Sequence, residues 1–101
     1  MEARTKVILK VHVAYPKELL ETWQSQAVGR RNGGELSSTV CFDPKQQNFV
    51  YFILEWDSLV SAERFWASVD GSRLIAAWHA VRKPDFLMLE EYDENRKPGG
   101  S

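Results

Sequence analysis

The sequence predicts an α+β domain in the order β-α-β-β-α-β, with one four-stranded antiparallel sheet. Three observations carry that expectation. Four short runs are rich in β-branched and aromatic residues. Two stretches between them repeat apolar residues at helical spacing. Glycine, proline and aspartate clusters separate them.

Val7-Ile8-Leu9-Lys10-Val11-His12-Val13 reads as strand one, because it is short and β-branched. Val7, Leu9, Val11 and Val13 share one face; Ile8, Lys10 and His12 share the other. Pro16 ends that strand and suits the first position of a helix, which then carries Leu19, Leu20, Trp23 and Ala27 inward. Gly29, Gly33 and Gly34 are expected to stop it and open a loop through Arg30, Arg31 and Asn32. Residues 35–43 read as a polar edge strand, with Leu36, Ser38, Val40 and Phe42 on one face. Asp43 to Asn48 is turn material, and Phe49 to Trp56 is the strongest strand, so the two should form a hairpin.

Asp57 or Ser58 can cap the second helical region, whose apolar positions are Leu59, Ala62, Phe65, Trp66 and Val69. Asp70-Gly71-Ser72 should interrupt it, with Ser72 capping a continuation through Leu74, Ala77, Trp78 and Val81. Lys83-Pro84-Asp85 is a turn, and Phe86 to Tyr92 is the last strand. The single domain is expected over 1–93, with 94–101 as a disordered tail. Right-handed crossovers favour a ferredoxin-like split βαβ sheet in spatial order 4-1-3-2.

That layout leaves one sheet face without helices. Yet Phe49, Tyr51 and Ile53, and Leu87 and Leu89, would point to it. A solvated face should alternate with polar residues. The expectation is a homodimer packed sheet to sheet, burying on the order of 1,600 Å².

Composition narrows the function classes. Thirteen basic and fourteen acidic residues give net charge −1, which removes the broad attraction of a general nucleic-acid binder. The β-α-β-β-α-β order is shared with RNA-binding domains, but no glycine-flanked basic signature accompanies Phe49, Tyr51 and Ile53. One cysteine, Cys41, excludes an internal disulfide and fits a reducing, cytoplasmic setting; it reads as a small buried hydrophobe. No apolar run reaches membrane-helix length and the opening residues are no signal peptide, so no membrane partner is expected. No zinc, disulfide-exchange or nucleophile-elbow motif occurs, and Gly29-Arg30-Arg31-Asn32-Gly33-Gly34 follows a helix where a phosphate loop would open one.

The segment Phe52-Ile53-Leu54-Glu55-Trp56-Asp57-Ser58-Leu59, followed by Ala62-Glu63-Arg64-Phe65-Trp66-Ala67-Ser68, resembles the third strand and second helix of the dimeric α/β-barrel superfamily. More narrowly it is similar to antibiotic-biosynthesis-monooxygenase-like domains. Lys83 to Glu91 resembles the final strand of small members. The resemblance spans about residues 5–93 and is sharp over 49–91. It implies face-to-face sheet dimers and a cleft between helices and sheet, used for cofactor-free oxygenation of quinol-like aromatics or for haem binding and degradation. The haem branch carries an Asn on strand one, a Trp on the second helix and a later His. Trp66 and His79 match the last two types, while strand one offers Lys10 and His12 and no Asn. The expectation is therefore no cofactor and no metal.

The candidate catalytic residues are His79, Trp66 and Tyr51. His79 flanks the helical apolar line and could exchange protons near neutral pH. Trp66 would wall the cleft, and Tyr51 could orient a phenolic substrate. The alternative for Trp23, Trp56, Trp66 and Trp78 is a small core filled by large side chains. Two functions stay open: a cofactor-independent monooxygenase acting on a small aromatic, and a non-catalytic dimeric module binding a small hydrophobic ligand or a protein.

Overall fold

Alternation of inward and outward side chains decides this architecture, and the strands carry it cleanly. The structure is a computed structural model that describes residues 4–91. Its elements are β1 (Thr5–His12), α1 (Pro16–Ser25), α2 (Ala27–Gly33), β2 (Glu35–Phe42), β3 (Phe49–Trp56), α3 (Leu59–Ala67), α4 (Val69–Ala76) and β4 (Asp85–Glu90). The sheet order is β2-β3-β1-β4, and every pairing is antiparallel. The predicted topology is the observed one.

Val7, Leu9 and Val11 of β1 join Val50, Phe52, Leu54 and Trp56 of β3, all fully buried, under the helices. Leu19, Trp23, Ala62, Phe65, Trp66 and Leu74 meet them from above. The opposite face presents Ile8, Lys10 and His12, Phe49, Tyr51 and Ile53, and Leu87 and Leu89. Leu87 is 51% and Leu89 47% exposed, so this face is uncovered among the described residues.

The helical regions differ from the sequence reading in their breaks. The first breaks at Gln26, and Arg30, Arg31 and Asn32 are helical in α2 rather than looped. Gln26 leaves the helix line because its side chain is engaged elsewhere: Nε2 donates to the Leu74 carbonyl and Oε1 accepts from Trp78 Nε1. Gly34, not Gly29, ends α2; its φ of 121° is a conformation that glycine adopts without strain.

Ser58 caps α3, accepting from the Ser61 amide at 3.2 Å. The second break falls at Ser68, not at 70–72. Ser68 closes α3 and caps α4, its Oγ accepting from the Gly71 amide at 3.2 Å. Gly71 therefore lies inside α4, where a Cβ would run into the Phe65 carbonyl oxygen. We expect Gly71→Ala to cost about 1–3 kcal/mol, because backbone cannot yield as a side chain can. Urea unfolding of the variant measures it.

The apolar line does not continue to Val81. α4 ends at Ala76, and Ala77 and Val81 are exposed. The chain has already turned back: the Val81 amide donates to the His12 carbonyl at 2.8 Å. The last strand is Asp85–Glu90, one residue earlier than expected at its start. Tyr92, expected to end it, and the tail at 94–101 lie outside the described residues. Cys41 is half-buried on the uncovered face opposite Tyr51, rather than in the core.

Candidate functional site

The layer between helices and sheet is occupied by one aromatic network. Trp23 stacks on Phe52 with centroids 3.9 Å apart, and Trp78 tilts against both at 5.7 Å. Trp66 continues the network to Trp78 at 6.2 Å, Trp56 at 5.7 Å and Phe86 at 5.3 Å. All four tryptophans are buried, so they fill the core first. Their indole N–H groups are not equivalent, however. Trp56 Nε1 donates to the Gly33 carbonyl at 3.0 Å and Trp78 Nε1 to Gln26 Oε1 at 2.9 Å. Trp66 Nε1 is buried with no acceptor among the described residues. A buried donor left unpaired is costly, and such groups concentrate where a ligand completes them.

His79 lies beyond α4, not on its flank as the helical spacing suggested. It is exposed, with φ of 51°, the left-handed conformation that histidine adopts more readily than most residues. It borders a cleft of about 70 Å³ together with Tyr15, Glu18, Thr22 and Trp78. Trp78 thus stands between the His79 cleft and the Trp66 indole. Tyr51 projects from the opposite face of the sheet. The fold brings Trp66 and His79 to the helix side but does not bring Tyr51 to them.

A larger cleft, about 470 Å³, opens between the start of α1 and the β2–β3 turn. Pro16, Leu20, Phe42 and Pro44 form its apolar walls, with Lys17 and Asp43 at its polar edge. Its size falls in the range of small-molecule sites, but none of the three candidates lines it.

Sequence reasoning missed the one buried ion pair among the described residues. Arg30 Nε donates to Glu35 Oε2 at 2.6 Å, and Nη1 donates to the Trp23 carbonyl at 2.6 Å. The guanidinium also lies 3.4 Å from the Trp23 ring centroid. Burial pushes the Glu35 carboxyl up from its ordinary value, with Arg30 opposing that shift. Glu35 reaches inward because β2 bulges between Glu35 and Ser37, which puts Glu35 opposite inward-facing Trp56. The signal available was an opposite-charge pair five residues apart across Gly33-Gly34.

The residues do not fit a haem. Trp23, Trp66, Trp78 and Phe52 fill the layer where a porphyrin would lie, and the space beside His79 is far smaller than one. Among the described residues, no three His, Cys, Asp or Glu side chains gather as metal ligands, and no helix is long and apolar enough to cross a membrane.

No protein-family model and no curated protein sequence matches the chain. Solved structures match it in shape. The cofactor-independent oxygenase SnoaB from Streptomyces nogalater superposes with a TM-score of 0.75, covering 90% of this chain and 95% of that one at 13% identity. An antibiotic biosynthesis monooxygenase gives 0.68, with 88% and 99% covered at 17% identity. A conserved protein from Methanosarcina mazei Go1 gives 0.71, with 89% and 94% covered at 12% identity. At such identities the likeness establishes architecture, and the chain has the ferredoxin-like fold of the antibiotic biosynthesis monooxygenase-like proteins.

Proposed function

We propose that the chain is a cofactor-independent monooxygenase of a small aromatic or quinol-like substrate, acting as a homodimer. The observation that carries the reading is the buried, acceptorless indole N–H of Trp66 within an aromatic layer. A flat phenolic ligand offers both an oxygen for that N–H and a face for the surrounding rings. The fold shared with an oxygenase that needs no cofactor supports the same reading.

The chemistry asks little of the protein. An electron-rich substrate RH₂ reduces O₂ itself; one oxygen enters the ring system as a carbonyl and the other leaves as water, giving RO + H₂O. The protein excludes water, orients the ring and manages protons. Trp66 would hold the substrate oxygen. His79, at the outer cleft, would exchange the proton with solvent. Access runs past Trp78, which must shift from its bond to Gln26.

The dimer reading rests on the uncovered sheet face. Its centre is Ile8, Tyr51, Ile53 and Leu87; its margins carry Lys6 across from Glu55 and Lys10 across from Asp85. An apolar centre with both charge signs around it is the anatomy of a self-complementary interface. Tyr51 would then contribute to association. The half-buried thiol of Cys41 suits a reducing compartment, the cytoplasm.

Oxygen uptake with a panel of naphthalene and anthracene hydroquinones tests the activity. We expect substrate-dependent uptake in the wild type and a loss of roughly tenfold or more in Trp66→Phe, which keeps an aromatic ring and removes the donor. Uptake that is absent throughout, or equal in both proteins, rejects the assignment. Ligand-dependent rises in melting temperature without turnover would favour the second reading, a non-catalytic module. The 470 Å³ cleft away from the tryptophan network favours that alternative.

A further inference from the structure

The uncovered sheet face holds a polar cluster that the proposed reaction does not use. His12 stacks on Phe49, with ring centroids 4.6 Å apart and planes 15° apart. Lys10 Nζ sits 4.7 Å from the centroid of the same ring. His12 Nδ1 is sealed from solvent and has no hydrogen-bond partner among the described residues.

We infer that this cluster makes association through the sheet face pH-dependent: the second copy docks against His12 in its neutral form and is released when that imidazole takes up a proton. The inference rests on the dimer reading above and adds a control to it.

Two physical effects act in the same direction. A neutral imidazole can leave Nδ1 as a bare acceptor and lie flat on Phe49. An imidazolium carries hydrogen on both nitrogens, so Nδ1–H becomes a buried donor with nothing to accept it. It also brings a second cation to a ring that already faces Lys10. Nδ1 is sealed in the isolated chain too, so that part of the cost falls on both states; the rest of the half-buried imidazolium is still hydrated there by water at the open face. A second copy laid on this face removes that water, and twofold symmetry brings a second His12 to the interface.

The surrounding charges do not cancel the effect. On β1 the neighbours are Lys10 and, further along, Lys6. On β4, Asp85 lies in register with Lys10. On β3 the face carries Tyr51 and, towards the far end, Glu55, which is paired with Arg4 at 3.6 Å. The segment whose Val81 amide binds the His12 carbonyl continues into Arg82 and Lys83. Among the described residues no carboxylate hydrogen-bonds His12 Nδ1.

Imidazole is the side chain that ordinarily changes charge between about pH 5 and 8. Sedimentation of the full chain at about pH 8 and about pH 5.5, with circular dichroism confirming that it stays folded, gives the test. We expect a dimer at the higher pH and a dissociation constant weakened by roughly tenfold or more at the lower. His12→Phe keeps the stack and cannot gain charge, so it should remain dimeric at both values. His12→Gln provides the same comparison if the phenylalanine variant folds poorly. A wild-type dimer equally tight at both pH values overturns the inference and leaves the dimer standing. So does an uncharged variant that still dissociates on acidification. A wild-type monomer at the higher pH overturns the dimer reading itself, and this inference with it.

Discussion

Replacing Arg30 with methionine is expected to destabilise the fold by about 3–5 kcal/mol, the usual cost of leaving one member of a buried ion pair alone. The Arg30 and Glu35 side chains are only 2% and 4% exposed, so water cannot take over from the missing partner. Methionine retains some apolar contact with the Trp23 ring but loses two hydrogen bonds, one of them to the Trp23 carbonyl. Glu35 would then be buried without its cation. The double variant Arg30→Met with Glu35→Leu removes both charges and should recover most of the loss, since apolar replacements of buried pairs are often neutral or better. Guanidinium unfolding of wild type, single and double variants decides it. A single variant within about 1 kcal/mol of wild type would mean that the pair does not hold α2 to the sheet.

Trp56→Ala is expected to cost about 3–5 kcal/mol, the range for deleting a buried aromatic side chain. Trp56 is fully buried and touches the rings of both Phe65 and Trp66. It also closes the chain around Gly34. The indole donates to the Gly33 carbonyl, and the Asp57 amide donates to the Gly34 carbonyl at 3.0 Å. Trp56→Phe separates the two contributions. It keeps most of the packing, loses the hydrogen bond, and should cost nearer to about 1 kcal/mol plus the lost ring area. Equal losses in the two variants would show that the hydrogen bond, rather than volume, dominates.

The sheet was the most legible part of the chain, because strand periodicity is strict: Val7, Leu9 and Val11 against Val50, Phe52 and Leu54 leave no second register. Helix breaks were harder. Helical spacing tolerates a local pause, and what fixes the pauses is tertiary. Gln26 reaches to Leu74 and Trp78, and Gly71 packs on the end of α3. Ser68 resembled any helix-surface serine until its hydroxyl was seen to bond the Gly71 amide. The tryptophans were legible as buried, but not which of them lacks an acceptor, because that depends on where Gly33 and Gln26 come to rest. His79 was misplaced onto the helix for the same reason: the chain turns at Ala77 to meet β1. Tyr51 was separable from Trp66 in principle, since strand parity alone puts it beside Phe49 and Ile53.

A strand has only two sides, so each extra residue inserted ahead of a paired stretch exchanges them. Leu36 is such a residue. Were the ladder to count it as an ordinary step, Glu35 would fall on the same side as Ser37 and its carboxylate would turn into solvent, stranding the guanidinium above Trp23. One leucine with half its surface in water, left out of the pairing, thus keeps the acid before it on the inner side. The slip in the ladder at that point, more than the chemistry of the leucine, is the quantity under constraint.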